Sequence, residues 1–222
     1  MTEATPNGSP TQVSLRELLG GAPDPDFALV LPPGWVRRDV TDAERDHMLD
    51  KMRGRLLDAH RPDLYGRMRA LVTEAFTQMR SVSTVAMFTA GDDAPDSAYM
   101  PASLTATIQH AEPGENLDAY VRGAITANGA TALFGDKRFL RVERETTERM
   151  DGESMLATTV VYMTPVPGSQ RRRALLLTLV ILRPTDAPAD DLPLVQMKTL
   201  FDLCASTLTW LPVDPKAAAP VT

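Results

Sequence analysis

The stretch Ala102-Ser103-Leu104-Thr105-Ala106-Thr107-Ile108-Gln109-His110 decides the reading of this chain. Its side chains alternate without interruption. Ala102, Leu104, Ala106 and Ile108 fall on one side, and Ser103, Thr105, Thr107 and Gln109 on the other. A period of two predicts a strand with one face in a core and one face polar. Ala174 to Leu182 answers it further along. That run is apolar on both sides, so it predicts a central strand covered on both faces.

Working outward, Pro113-Gly114 stops the first strand, and Leu117, Tyr120, Val121, Ala124 and Ile125 predict a helix ending near Asn128-Gly129. Lys137 to Arg149 and Glu153 to Met163 read as strands joined at Asp151-Gly152, a hairpin signal. Pro165-Val166-Pro167-Gly168 turns the chain into the central strand. Asp190 or Asp191 is expected to cap a last helix carrying Val195, Leu200, Phe201, Cys204 and Leu208. Upstream, Ser81 to Thr89 is a strand. Before it come two helices. The first opens at a capping box, Thr41-Asp42-Ala43-Glu44, and the second carries the stripe Leu64, Met68, Leu71, Val72, Ala75, Phe76 and Met79. Phe27 to Leu31 and Trp35 to Arg38 read as a strand pair turned by Pro32-Pro33-Gly34.

The order is ββ-αα-ββ-α-βββ-α. Hairpins join the strands and no βαβ rhythm appears, which predicts an α+β fold with one antiparallel sheet and helices packed on both faces. Residues 13–212 are expected to form a single domain, with tails at 1–12 and 213–222. Ser14 is placed to cap a short helix, Leu15 to Leu19, closed by Gly20-Gly21.

Composition removes several functions. The chain has 222 residues, 43% of them apolar, and no apolar stretch approaches the roughly twenty residues of a membrane span. A net charge of −6 gives no electrostatic case for nucleic acid. A single cysteine excludes an intrachain disulfide and a multi-cysteine metal site. Met1 to Pro6 has neither a basic start nor an apolar core, so a cytoplasmic location is expected. Arginine far outnumbers lysine, and alanine, aspartate and proline are frequent, a composition typical of a high-GC bacterium.

No catalytic pattern emerges. His47, His60 and His110 have no zinc-site spacing, and His47 with Asp50 is an ordinary neighbour pair on a helix. Cys204 falls in an apolar stripe, where a thiol packs as a small hydrophobe. Gly129 to Lys137 has the wrong spacing for a phosphate loop and precedes a strand. Asp92, Asp93 and Asp96 form an acidic loop without the calcium-ligand pattern. No metal or cofactor is expected. Met48, Met52, Met68 and Met79 read as adaptable packing.

Three features point to binding instead. Ser103, Thr105 and Thr107, with Ser83, Thr158 and Thr178 as candidate neighbours, give a hydroxyl-rich sheet face. Arg171-Arg172-Arg173 is placed at a turn into the central strand, where guanidinium groups can engage phosphate or an acidic partner. The second of the paired helices gathers Arg61, Arg67, Arg69 and Arg80 opposite its apolar stripe, and Arg67 and Arg69 are the foremost candidates for an acidic protein partner. Trp35 and Trp210 are both expected to be largely buried.

The sequence FALVLPPGWVRRD resembles the opening motif of the Mog1/PsbP-like fold, through Phe27, Pro32 or Pro33, Gly34 and Trp35. FDLCASTLTWLP is similar to its closing helix, through Phe201 and Trp210. The actinobacterial LpqN-type proteins are the members it resembles. The resemblance implies an α/β/α sandwich without catalytic residues that binds other proteins, as in nuclear transport, photosystem assembly or the actinobacterial envelope. The chain departs from the family in lacking a lipoprotein signal and in inserting the helix Pro62 to Met79. The leading expectation is therefore a non-enzymatic protein-binding domain, an assembly or secretion accessory. A small-molecule-binding domain or hydrolase on the same sandwich, and an immunity protein neutralising a basic partner, are the alternatives.

Overall fold

The computed structural model describes residues 25–95, 98, 100–150, 153–188 and 191–212. The two tails, the short helix after Ser14, Asp96, the Asp151-Gly152 turn and Asp190 lie outside the described residues. The chain is an α+β protein. Its strands are β1 (Phe27–Ala28), β2 (Trp35–Arg38), β3 (Thr84–Ala90), β4 (Ala102–His110), β5 (Thr131–Leu133), β6 (Asp136–Met150), β7 (Glu153–Pro165), β8 (Arg173–Pro184) and β9 (Thr209–Trp210). Its helices are α1 (Asp42–Asp58), α2 (Tyr65–Ser81), α3 (Asp118–Asn128) and α4 (Leu192–Ser206), with a 3-10 turn at Pro62–Leu64.

The expectation of one sheet is corrected. There is a seven-stranded sheet, ordered β2-β3-β4-β8-β7-β6-β5, and a separate two-stranded sheet of β1 and β9. The Phe27 strand does not pair with the Trp35 strand across the Pro32-Pro33-Gly34 turn. Two consecutive prolines offer no N–H to a ladder, and β1 pairs instead with the end of the described chain, Phe27 opposite Trp210 and Ala28 opposite Thr209. These residues form a compact unit of their own. Within it the Phe27 and Trp210 rings meet edge to face at 6.1 Å, and Leu211 N–H donates to the Asp26 carbonyl at 2.7 Å. Trp210 is half-buried rather than largely buried.

The second unit runs from Leu29 to Leu208 and holds the large sheet. Every strand pair in it is antiparallel. β8 is central, as the two-sided apolar run predicts. Leu104, Ala106 and Ile108 stand opposite Leu179, Leu177 and Leu175, and Tyr162 and Val160 continue the row on β7. All of these side chains are buried. Helix α4 covers this face. The Tyr162 hydroxyl donates to Asp202 Oδ1 at 2.6 Å, Arg141 Nε donates to the same oxygen at 2.8 Å, and Lys198 pairs with Glu143 at 2.8 Å. Burial first, then the bond to Asp202, pushes the Tyr162 phenol well above its ordinary value. Trp35 meets Phe201 of α4 edge to face at 5.1 Å, and its Nε1–H donates to the Ala98 carbonyl at 2.8 Å.

The other face of β8 carries Leu176, Thr178, Val180 and Leu182, which are only half-buried. Its cover is partial. Leu117 and Val121, at the start of α3, pack on Met163, Ala174, Leu140 and Leu176. α3 ends where expected, at Gly129, whose φ of 66° is readily adopted only without a Cβ.

α1 begins as a capping box predicts, with Glu44 N–H donating to Thr41 Oγ1 at 3.2 Å. The reciprocal half is absent, because the Glu44 carboxylate takes a bond from Arg38 Nη1 at 2.6 Å instead. Asp191 stands at the N-cap of α4 without a side-chain capping bond. No described helix is long and apolar enough to cross a membrane.

Candidate functional site

The α1–α2 hairpin and the strand ends beside it enclose a cleft of about 480 Å³. α1 contributes Met48, Met52 and Leu56, which recur at i, i+4 and i+8 and so share one helix face. α2 contributes Met68 and Val72 by the same spacing. Met100, Ala98 and Trp35 complete the apolar wall. Thioether side chains are unbranched and polarizable, so a cleft built from four of them adapts to differently shaped apolar partners.

The stripe on α2 is only partly used inside the molecule. Phe76 is buried, and Leu64, Val72 and Met79 are half-buried. Met68 and Leu71 are 40% and 50% exposed, and Leu57 of α1 is 51% exposed. The helix docks through Phe76, and its Met68 and Leu71 side stays exposed.

The cleft has a charged rim. Asp92 accepts from His47 Nε2 at 2.8 Å and Arg38 Nη2 at 2.7 Å, and pairs with Lys51 Nζ at 3.1 Å. These three cationic or hydrogen-bonding neighbours, His47 foremost, hold its carboxyl well below the usual carboxylate range. Asp92 was singled out in sequence as part of an acidic loop, and His47 as a neighbour of Asp50. Neither reading foresaw that the loop returns to α1 and neutralises it. A carboxylate already engaged by three side chains is a poor cation ligand. Among the described residues no group of three or more His, Cys, Asp and Glu side chains could share a metal ion.

Arg67 and Arg69 are both exposed on α2. The basic face they belong to is partly neutralised, since Arg61 pairs with Asp63 at 3.1 Å and Arg80 with Asp42 at 2.6 Å. Arg67 lies within electrostatic reach of Asp63. Arg69 makes no ion pair among the described residues.

Arg171, Arg172 and Arg173 do not act as one patch. Arg172 is exposed and Arg173 is buried. Arg171 and Arg173 join Lys137 and Arg138 around a hollow of about 290 Å³ floored by Leu117, Val121, Leu140 and Met163. Arg171 Nη1 lies 3.3 Å from the Asp118 carboxylate. A larger groove of about 650 Å³ opens beneath α3, between Gly123, Ala124 and Ala127 above and Val142, Val161 and Met163 below.

Thr105 and Thr107 share the half-covered sheet face with Thr178, and the Thr107 and Thr84 hydroxyls are 3.1 Å apart. Ser103 is exposed. None of the three lines the cavities described above. The proposed neighbours are corrected. Thr158 stands opposite Ile181, on the face beneath α4, and Ser83 lies before β3 with φ at 58°. Cys204 is buried, and that burial pushes its thiol up.

No family model matches the chain, and no curated protein matches it. A crystal structure of a protein from Bacteroides thetaiotaomicron VPI-5482 is similar over 84% of this chain and 45% of that one, at 8% identity and a TM-score of 0.37. The chain therefore spans less than half the length of that protein, and the likeness carries no argument about fold or function.

Proposed function

We propose that this is a non-enzymatic binding domain that engages another protein through the α1–α2 hairpin. One observation carries the reading. Leu57, Met68 and Leu71 stand exposed beside an adaptable, methionine-lined cleft, and an apolar surface of this kind is what a partner covers. The exposed Arg67 and Arg69 flank it, so the partner presents apolar side chains bordered by carboxylates. The partner's acidic rim sets on-rate and register, and the apolar contact supplies most of the affinity. The fold is an α/β/α sandwich of the Mog1/PsbP-like kind, near the actinobacterial LpqN-type proteins. The contacts of α4 and α3 with opposite faces of the large sheet support this. The location is cytoplasmic.

The test is capture of the partner from the cells that make the protein, followed by quantitative binding with the Arg67→Glu/Arg69→Glu variant. That variant should fold normally and bind the captured partner about tenfold or more weakly at low salt, the gap closing as salt rises. Unchanged affinity at low salt would remove this face from the reading. Turnover in an esterase, phosphatase or peptidase screen that disappears on His47→Gln would reject the non-enzymatic reading.

The hollow ringed by Lys137, Arg138, Arg171 and Arg173 favours a second reading, small-anion binding. Arg138 is paired there with Asp136 and Arg171 with Asp118, which also lines the hollow, so Lys137 and Arg173 over the apolar floor suit a ligand with a single carboxylate and an apolar body.

A further inference from the structure

The outer edge of β6 is left open. β5 pairs with Asp136, Leu140 and Arg141 only, and from Val142 to Met150 the strand has a described neighbour on one side, β7. No register shift interrupts its pairing with β7, and the segment contains no proline. Edges are ordinarily blunted by proline, by bulges or by charged side chains, and of these the β6 edge has charge alone. This one reads Val142-Glu143-Arg144-Glu145-Thr146-Thr147-Glu148-Arg149, with mixed charge around two β-branched threonines.

The charges are arranged so that the strand complements itself. Paired antiparallel with a second copy about Thr146, Arg144 stands opposite the partner's Glu148, and Glu143 stands opposite the partner's Arg149. Symmetry repeats both pairs. Residues directly opposite in an antiparallel ladder point to the same face. Here Arg144 and Glu148 share one face of β6, and Glu143 and Arg149 the other, so the pairing is sterically consistent. Registers compatible with the twofold differ by two residues per step, because a shift of one would set opposite side chains on different faces. Centring on Glu145 sets the two Glu145 side chains against each other and Arg141 against the partner's Arg149, and centring on Thr147 keeps only Glu145 against the partner's Arg149 and its symmetry mate, so the Thr146 register has the most opposite-charge pairs.

Three of these four side chains are unspent within the subunit. Among the described residues Arg144 and Arg149 make no ion pair, and Glu148 accepts only the Thr146 hydroxyl, at 2.9 Å. Glu143 and Glu145, by contrast, are already held by Arg141 and Lys198 and by Arg183.

We infer that the chain forms a twofold homodimer by antiparallel pairing of β6 with β6 of a second copy, centred on Thr146. The two seven-stranded sheets then run on as one. This is independent of the α1–α2 reading, and either can fail without the other.

Sedimentation of the full chain tests it. At about 100 μM and moderate salt, where a micromolar association is nearly complete, the wild type should be dimeric. Arg144→Glu and Glu148→Arg each place like charges opposite, and each should weaken the dimer about tenfold or more. The double variant R144E/E148R restores opposite signs and should regain most of the affinity, which a fold defect would not. Thr146→Cys should cross-link the dimer on mild oxidation, since the two side chains meet on the twofold axis, while buried Cys204 does not compete. A monomeric wild type at that concentration overturns the inference. So does a dimer indifferent to the single reversals, a loss that the double variant does not repair, or a Thr146→Cys protein that stays uncross-linked.

Discussion

Single residues fix the large unit at two places. Trp35 is buried, edge-on to Phe201 and bonded through Nε1 to Ala98, so it ties the edge strand β2 to α4. Trp35→Ala should lower unfolding free energy by about 3–5 kcal/mol, read from chemical denaturation. A loss under about 1 kcal/mol would mean the indole is not packed as described. The second place is Glu145, which accepts from Arg183 and from Thr158 Oγ1. The Arg183 bond holds its carboxyl below the ordinary value of 4.5. A depressed carboxylate contributes stability that is present above its unfolded pKa and is lost as pH falls through its folded one. Glu145→Gln should therefore be less stable than wild type near neutrality. The two proteins should converge as pH drops below the ordinary carboxylate range. A difference that persists undiminished in acid would contradict the pairing.

At the scale of elements, α2 is divided between a side that holds the fold and a side that does not. Phe76→Ala should cost about 3–5 kcal/mol, because the ring is buried. Leu71→Asp, on the exposed side, should stay within about 0.5 kcal/mol of wild type. Thermal melts of both variants check this, and equal losses would mean the helix is fully docked. The helix itself was legible in the sequence, because seven apolar residues at helical spacing leave no other period. How deeply it docks was not, since amphipathicity gives a direction and not a distance. β4 and β8 were legible for the same local reason. The β1 pairing was not. Phe27 finds its partner at Trp210, at the far end of the chain, and no local signal separates that choice from a hairpin. Thr158 went to the wrong face because faces follow from register, and a shift of one residue exchanges them. The cleft was only half visible. Met48, Met52 and Met68 were read as packing, and nothing in the sequence brings Met100 or Asp92 to meet them.

At the scale of the whole molecule, the two proposed binding surfaces are the α1–α2 hairpin and the β6 edge. They ask for different partners. The hairpin offers apolar side chains flanked by Arg67 and Arg69, which suits an unlike, acidic chain. The edge offers mixed charges that match themselves, which suits a copy. A protein using both would present its hairpin twice, and two linked weak contacts can exceed either affinity by about 10²–10⁴ without a new contact. The most direct measurement is site-specific photo-cross-linking in the cells that make the protein. The photoreactive residue replaces Leu71, with Ile125 as the control, an exposed apolar position on α3. A discrete cross-link to one other protein from position 71, absent from position 125 and diminished by Arg67→Glu/Arg69→Glu, is the result predicted. No discrete product from position 71, or the same product from both positions, would contradict a binding role for the hairpin.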